Sequence, residues 1–197
     1  MEQGTLALLL RLHSATADSP SPDDAVALLR RDVPGLQQVQ AYAAVDGSGA
    51  YVYAWLHGGD EVTVGAVESL RRSLTALLGS GFTLDRLELL RAFDGASAGA
   101  PASCFYAVET DPADGSEEEM FRWYDVEHMP GLAAVPGCVR ALRLINRDGG
   151  PRSHACYELA DAEVTSTPAW LAVRATAWSS RVRPNFRNTR RTMFHAL

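Results

Sequence analysis

Residues 123–137 hold the side chains best suited to chemistry, because aromatic residues and a histidine stand just before a proline there. The stretch reads WYDVEHMPGLAAVPG, in which helix-forming residues run up to Met129-Pro130. A proline disfavours the helical conformation of the residue before it, so we expect His128 to lie at a helix C-terminus. The partial negative charge of that terminus favours the imidazolium form. Since histidine titrates near neutral pH, this position predicts a residue that transfers protons.

Tyr124 and Glu127 precede His128 at different helical spacings. Tyr124, four residues earlier, shares the helix face of His128 and is a candidate to hydrogen-bond a substrate oxygen. Glu127 is adjacent and points about 100° away, so we expect a solvated or ion-paired carboxylate and no Glu–His dyad. Trp123 and Phe121 fit the hydrophobic core better than a cofactor contact. The structural alternative for His128 is that its N–H only caps a helix carbonyl.

The elements around this stretch occur in the same order in both halves of the chain. Alternating and continuous apolar runs predict strands, and apolar residues at helical spacing predict helices. The predicted strands span residues 5–13, 36–45, 50–57, 82–93, 104–109, 139–147, 152–159 and 185–195, and the predicted helices residues 20–31, 60–78, 116–129 and 168–182. Val33-Pro34-Gly35 and Val135-Pro136-Gly137 each stand just before the second strand of their half. This correspondence indicates an internal repeat.

Each half has the order βαββαβ, which is typical of the ferredoxin-like arrangement of a four-stranded antiparallel sheet with two helices on one face. The other face of each sheet is apolar and needs cover. We therefore expect an α+β fold in which two tandem ferredoxin-like repeats pack sheet to sheet as a fused dimeric α/β barrel. The expected domains are a degenerate scaffold repeat at 1–95, a linker at 96–103, and a repeat that carries the site at 104–197. The alternative is two independent ferredoxin-like domains.

Alignment of the halves on their Val-Pro-Gly turns places the chemistry in the second half. The second half reads FRWYDVEHMPGLAAVPG there, whereas the first reads SPDDAVALLRRDVPG, without an aromatic pair, a histidine or a Met-Pro dipeptide. A purely structural motif is expected in both halves. The difference therefore predicts a site in the second half and a scaffold role for the first.

These residues also resemble a known family. Trp123, Tyr124, the tetrad Glu127-His128-Met129-Pro130, the Val135-Pro136-Gly137 turn and the later segment WSSRVRPNFRNTRR are similar to the EthD-like branch of the dimeric α/β-barrel superfamily. The resemblance covers about residues 101–197. The superfamily includes cofactor-free polyketide cyclases, lactone isomerases, aromatic-acid decarboxylases, small monooxygenases and haem proteins. The resemblance implies His128 as the acid/base, with Trp123 and Tyr124 as walls of a cavity between sheet and helices.

Several strand residues are further candidates for substrate binding. Tyr106, Arg143 and His154 lie on predicted strands and would line the cavity if they point toward the helices. In the last strand, alternation puts Asn188, Arg190 and Thr192 on one face, where an arginine can bind a carboxylate or enolate. A shift of one residue in strand phase would reverse each of these orientations.

Composition excludes several function classes. The formal net charge of −6 argues against a nucleic-acid partner. The chain has no lysine, so lysine Schiff-base chemistry is excluded. Cys104, Cys138 and Cys156 are too widely spaced for a zinc motif, and we expect them to be reduced, in a cytoplasmic protein with no metal centre. No stretch is long and apolar enough to suggest a membrane helix.

The sequence therefore predicts an enzyme without a tightly bound cofactor that acts on an aromatic or polyketide-like small molecule. His128 and Tyr124 would be catalytic, and the reaction would be a cyclisation, isomerisation, dehydration or decarboxylation. One alternative is a cofactor-independent monooxygenase of the same fold. Others are a non-catalytic ligand-binding or partner protein and a haem protein with His128 or His154 as axial ligand. The expected assembly is a monomeric pseudo-dimer or a homodimer.

Overall fold

The computed structural model describes residues 4–13, 21–57 and 62–197. The strands in these ranges are β1 (Leu6–His13), β2 (Leu36–Ala44), β3 (Gly49–Leu56), β4 (Phe82–Asp94), β5 (Cys104–Pro112), β6 (Cys138–Asn146), β7 (Ser153–Leu159) and β8 (Phe186–Ala196). The α-helices are α1 (Pro22–Asp32), α2 (Val64–Leu78), α3 (Glu117–Trp123), α4 (Met129–Ala133), α5 (Pro168–Arg174) and α6 (Ala177–Val182). A π-helical turn covers Tyr124–His128, and 3-10 turns cover Ala162–Ser166 and Arg183–Asn185. None of the helices in the described ranges has the length and apolar character needed to cross a membrane.

The eight strands close into one antiparallel barrel in the order β1-β3-β2-β8-β5-β7-β6-β4. Each half supplies four neighbouring strands, ordered β2-β3-β1-β4 and β6-β7-β5-β8. The edge strands of one half pair with those of the other, β4 with β6 and β2 with β8, so neither sheet keeps an open edge. The prediction of two ferredoxin-like repeats fused into a barrel is confirmed, and the alternative of two independent domains is wrong.

The predicted strands are all present, and the helix predictions differ from the structure in four places. The helix predicted over 60–78 begins at Val64 in the described residues, and residues 60 and 61 lie outside them. The start of the first helix prediction, at residue 20, also lies outside the described residues, where α1 begins at Pro22. The helical region predicted over 168–182 is divided into α5 and α6, because Thr176 caps the second helix by accepting a hydrogen bond from the Ser179 backbone.

The helix predicted to stop at Pro130 instead continues past it. Helix α3 passes into the π-helical turn and then into α4, and the Met129 N–H donates to the carbonyl of Tyr124, five residues earlier. In an α-helix, a proline ring clashes with the carbonyl four residues before it. The π-helical turn changes the spacing of the carbonyls at this point and so accommodates Pro130. His128 therefore lies inside a continuous helical segment, and the prediction of a helix C-terminus is wrong.

The core has three layers. Large apolar side chains from both halves, among them Trp55, Leu87, Phe105, Leu144 and Phe194, fill the barrel. One further layer packs between the first-half strands and α1 and α2, and another between the second-half strands and their helices. Because strand residues alternate between the two faces, each strand contributes to the barrel interior and to one helix layer.

The two Val-Pro-Gly turns share a backbone conformation as well as a sequence. Gly35 has φ 70° and Gly137 has φ 92°, values that favour glycine. A Cβ added to Gly137 would lie 2.4 Å from Cγ2 of Val164, so this position also needs the absence of a side chain. The turn is thus a repeated structural unit of both halves.

A buried cluster of six polar side chains closes one end of the barrel interior, with three side chains from each half: Arg11, Tyr51 and Asp85, and Glu109, Asn146 and His154. Arg11 donates to Glu109 through Nε at 3.0 Å and Nη2 at 2.8 Å. The Tyr51 hydroxyl donates to the other oxygen of Glu109 at 2.6 Å. Burial acts to raise the pKa of Glu109, but the positive groups and hydrogen bonds around it hold that pKa below its ordinary value.

Candidate active site

A narrow cleft between the second-half strands and their helices contains His128. We call it the His128 cleft. Its walls contain six Phe, Trp or Tyr rings and three arginines: it is lined by Tyr106, Val108, Trp123, Tyr124, His128, Leu132, Ala155, Tyr157, Trp170, Arg174, Arg183, Phe186 and Arg191. Its volume is about 30 Å³, which is room for about two water molecules. A small organic molecule therefore enters only if wall side chains move.

The π-helical turn sets the position of His128. Its imidazole stacks on Trp123, five residues earlier, with ring centroids 4.1 Å apart and an interplanar angle of 21°. Tyr124 meets the same imidazole edge-on at 5.7 Å. Since a π-helical turn repeats between residues i and i+5, it brings Trp123 and His128 together, which an α-helix would not do. Two aromatic rings therefore hold the imidazole.

The imidazole of His128 is neutral and has free nitrogen atoms. Its Nδ1 is buried without a hydrogen-bond partner, and neither ring nitrogen bonds to another residue in the described ranges. Burial, followed by the positive charges of Arg174 and Arg183, lowers the pKa of His128 to about 3. The expected imidazolium is therefore wrong, as is the alternative that the N–H caps a carbonyl. At neutral pH this residue is in its base form, and its low pKa makes it a weak base while the cleft is empty.

Tyr124 packs on a buried cation. The Arg143 guanidinium lies 4.4 Å from the Tyr124 ring centroid and 4.6 Å from that of Phe121. Burial raises the pKa of Tyr124 to about 12, and the charge of Arg143 is the largest influence in the opposite direction. None of the hydrogen bonds found in the described residues uses the Tyr124 hydroxyl, so this group is available to a ligand.

Glu127 supports the site from behind and does not form a dyad with His128. Its Oε1 accepts a hydrogen bond from Trp123 Nε1 at 3.2 Å and another from Thr176 Oγ1 at 2.6 Å. The prediction that it does not pair with His128 is confirmed. Within the described residues Glu127 is hydrogen-bonded rather than ion-paired. Its hydrogen bond with Trp123 fixes the indole ring on which His128 stacks.

Four of the eight predicted site residues line the His128 cleft, and the other four lie outside it. His128, Tyr124, Trp123 and Tyr106 are brought together in the His128 cleft. Arg143 lies directly behind Tyr124 and does not line the cleft, because the Tyr124 ring separates it from the space.

The other three predicted residues lie elsewhere. His154 points into the barrel and belongs to its buried polar cluster, with burial lowering its pKa to about 4. Asn188 donates to Asp111 at 2.9 Å on the outer surface. Arg190 lies on the opposite face of β8 from Arg191, which is the residue that lines the cleft. The predicted strand phase was wrong here by one residue.

Sequence reasoning missed nine of the thirteen lining residues in the described ranges, among them Tyr157, Trp170, Arg174, Arg183, Phe186 and Arg191. Trp170, Arg174 and Arg183 come from the segment between β7 and β8, which folds back over the sheet as α5, α6 and a 3-10 turn. Short elements of this kind carry little periodic signal. The one available signal was the high density of arginine between residues 174 and 191.

The two candidate haem ligands do not fit a porphyrin. Drug-sized ligands occupy pockets of about 300–1,000 Å³, whereas the space beside His128 is about 30 Å³. His154 is fully buried, with Nε2 3.0 Å from the carbonyl oxygen of Pro151 and Nδ1 3.7 Å from Glu109. Neither imidazole therefore offers a free nitrogen beside a haem-sized space.

The first half has a cavity without comparable chemistry. It is larger, about 190 Å³, and apolar side chains such as Leu8, Leu56 and Leu70 form most of its wall. Asp32 is the only ionisable residue among its lining residues in the described ranges. Of these two spaces, the one lined by several ionisable side chains is in the second half, next to the helix that the sequence singled out.

The fold is that of a fused dimeric α/β barrel. The sequence matches no protein-family model, and no curated protein matches it significantly. A solved anthrone oxidase-like protein superposes with a TM-score of 0.62 at 14% identity, covering 100% of this chain and 92% of that one.

Two further solved structures share this fold. A chlorite dismutase mutant from Candidatus Nitrospira defluvii superposes with a TM-score of 0.65 at 11% identity, covering 98% of this chain and 92% of that one. A ferredoxin-fold protein from Listeria monocytogenes, related to antibiotic biosynthesis monooxygenases, superposes with a TM-score of 0.58 at 8% identity, covering 99% and 96%. At these identities the likeness concerns the fold.

Proposed function

We propose that the protein is an enzyme that removes a proton from an aromatic or polyketide-like small molecule, with His128 as the general base. One observation carries this proposal: a neutral, buried imidazole faces an aromatic cleft without a hydrogen-bond partner in the described residues. A histidine with only a packing role is normally hydrogen-bonded when buried. A free ring nitrogen is what a general base requires.

The proton transfer uses two groups. His128 accepts a proton from a C–H or O–H group of the substrate, and the bonding electrons stay on the substrate as an enolate or phenolate. The Tyr124 hydroxyl donates a hydrogen bond to that oxygen, since its own pKa of about 12 keeps it protonated. Return of the proton to another carbon completes an isomerisation. In a cyclisation, the enolate carbon attacks a second carbonyl, whose oxygen then takes the proton from His128.

A second candidate function is a cofactor-independent monooxygenase that starts with the same proton transfer. The carbanion carbon of the enolate formed by His128 would then bond to molecular oxygen, the resulting peroxide would take the proton back from His128, and loss of water would leave a new carbonyl on the substrate. The observation that favours this candidate is the full-length structural likeness to an anthrone oxidase-like protein and to a relative of antibiotic biosynthesis monooxygenases. Membership of the EthD-like branch, suggested by residues 123–137, is part of the same proposal.

The proposal is tested by following proton exchange and oxygen use with anthrone and 2-tetralone, two aromatic ketones with acidic C–H groups. We expect the wild-type protein to catalyse deuterium exchange in NMR spectra, and His128→Gln to lose about 100-fold or more of that rate. His195→Gln is the matched control, because His195 is an exposed histidine of β8 outside the cleft. It should keep the wild-type rate.

The oxygen electrode separates the two candidates. Exchange without oxygen consumption indicates an isomerase or cyclase, and oxygen consumption that depends on His128 indicates the monooxygenase. An unchanged rate in His128→Gln contradicts the proposed base. Saturable binding of the ketones without exchange or oxygen use supports a ligand-binding protein instead.

A further inference from the structure

Three guanidinium groups enter the wall of the His128 cleft from three separate elements. Arg174 ends α5, Arg183 begins the following 3-10 turn, and Arg191 lies on β8. The described ranges contain no ion pair between these arginines and an acidic residue. No aspartate or glutamate is among the residues that line the cleft.

These like charges act on one another and on His128. Burial and the charges of Arg174 and Arg191 lower the pKa of Arg183. Arg174 and Arg183 also act on His128, whose pKa they help to lower. Arg174 and Arg183 are half-buried and Arg191 is exposed, so their mutual repulsion raises the free energy of the empty cleft but is partly screened by solvent. A bound anion would remove this repulsion.

Tyr106, Tyr157 and Trp170 also line the cleft, which admits the ring of a ligand beside them only if wall side chains move. Tyr157 and Trp170 meet edge-on with centroids 5.1 Å apart. Tyr106 stacks near Tyr157 at 6.2 Å and meets Trp170 at 6.4 Å. Tyr157 donates its hydroxyl hydrogen to Met129 Sδ at 3.0 Å, so its ring contributes shape and apolar surface to the cleft more than a polar group.

We propose that the His128 cleft binds a small aromatic anion, a carboxylate or a phenolate, with the negative oxygens on Arg174, Arg183 and Arg191 and the ring against Tyr106, Tyr157 and Trp170. This inference rests on the proposed function only in placing the substrate in the same cleft. It adds the charge of the molecule and the residues that recognise this charge. Guanidinium groups suit planar oxyanions because they donate two parallel hydrogen bonds.

The bound anion also changes His128. A negative group among the arginines offsets the positive field that disfavours the imidazolium. His128 then becomes a stronger base when its substrate is present than when the cleft is empty. The groups that face this histidine in the cleft are the phenols of Tyr106, Tyr124 and Tyr157 and the three arginines.

Calorimetric titration with 2-naphthoate and its neutral isostere 2-naphthamide tests the inference. We expect the carboxylate to bind at least tenfold more tightly than the amide at low salt, and to lose this advantage as salt is added. Arg183→Gln and Arg191→Gln should each weaken 2-naphthoate about tenfold and leave 2-naphthamide unchanged. Arg190→Gln is the matched control, since it removes the same charge from the neighbouring position on the other strand face.

Three results would overturn the inference: equal affinities for the two probes, an equal loss in Arg190→Gln and Arg191→Gln, or binding of neither probe. The readout is binding, so it is independent of turnover. Selective binding of the anion without any His128-dependent exchange contradicts the proposed function alone. Exchange that proceeds while the anion has no advantage contradicts the anion proposal alone.

Discussion

The pair formed by His128 and Tyr124 is held by ring contacts rather than by hydrogen bonds. Trp123 supports one face of the imidazole, and Arg143 supports the phenol ring from behind. Both polar ends are left for a ligand, because no hydrogen bond in the described residues uses them. The ring contacts thus fix the positions of the imidazole and the phenol, and they leave the ring nitrogens and the hydroxyl free to exchange protons or hydrogen bonds with a ligand.

This arrangement predicts that Tyr124→Phe separates activity from stability. The ring contacts with Arg143 and His128 remain, so the free energy of unfolding should change by less than about 0.5 kcal/mol. Turnover of the anthrone or 2-tetralone probe should fall about tenfold to 100-fold, because the developing oxyanion loses a hydrogen-bond donor. Urea unfolding and the deuterium-exchange assay measure the two effects.

The control for this variant is Tyr157→Phe. The Tyr157 hydroxyl donates to Met129 Sδ, so its removal should lower the free energy of unfolding by up to about 1 kcal/mol. Its effect on turnover should be smaller than that of Tyr124→Phe. A Tyr124→Phe variant with wild-type turnover would show that the hydroxyl takes no part in the reaction.

Side-chain types near His128 were predictable, and side-chain directions on β8 were not. The helical spacing of Tyr124 and His128 put both on one face, and the structure places both in the cleft. On β8, a shift of one residue decides whether Arg190 or Arg191 faces the cleft. Alternation along the strand shows that the two point to opposite faces, but not which face is which. The predicted charge of His128 was also wrong, since its pKa is lowered first by burial and then by Arg174 and Arg183, which are distant in sequence.

At the scale of elements, the contact between α4 and α5 determines how Trp170 and Arg174 reach the cleft. Gly131 on α4 faces Val173 on α5, and a Cβ at Gly131 would lie 2.9 Å from Val173 Cγ1. Valine is stiff at χ1, so it moves aside only at some cost. The absence of a side chain at Gly131 therefore lets α5 approach closely.

We expect Gly131→Ala to destabilise the protein by about 1–2 kcal/mol, although alanine favours helix by about 1 kcal/mol over glycine. The added methyl group pushes α5 outward and should weaken binding of 2-naphthoate as well. Urea unfolding and calorimetry measure both changes.

A double-mutant cycle with Val173→Ala controls for the general effect of either substitution. The shorter side chain at residue 173 removes the clash, so the two changes should couple favourably by about 1 kcal/mol. If the two effects simply add, Gly131 and Val173 do not limit the approach of α5.

Periodicity predicted the strands and the repeat, but it failed at the π-helical turn. The rule that proline ends a helix is sound for α-helices, and nothing local in residues 123–130 distinguishes a stop from a π-helical turn. The repeated Val-Pro-Gly turns, in contrast, were reliable because a positive φ at Gly35 and Gly137 has a direct sequence signature.

At the scale of the whole molecule, two buried histidines make stability depend on pH. The pKa of His128 is lowered to about 3 and that of His154 to about 4, from an ordinary value near 6.5, with burial as the main cause. Below pH 6.5 the unfolded chain binds protons at these positions and the folded chain does not. The free energy of unfolding therefore falls as the pH drops from 6.5 toward 4.

We expect a loss of about 2 kcal/mol per histidine at pH 5 relative to pH 7. Urea unfolding at the two pH values measures it. His128→Gln should lose about half as much stability over this range as the wild type, and His195→Gln, with an exposed histidine, should match the wild type. Identical pH dependence in His128→Gln and the wild type would mean that His128 takes up a proton in the folded state.

The Arg11–Glu109 ion pair joins equivalent positions of the two repeats with opposite charges. Arg11 is the next inward-facing residue of β1 after Leu9, and Glu109 is the next of β5 after Ala107. Because β1 and β5 are the first strands of their repeats, the two residues occupy equivalent positions. Two identical chains related by a twofold axis would carry the same charge at both positions and repel each other inside the barrel. Joining two unequal halves in one polypeptide breaks that symmetry, and the single chain gains the charge complementarity of a heterodimer.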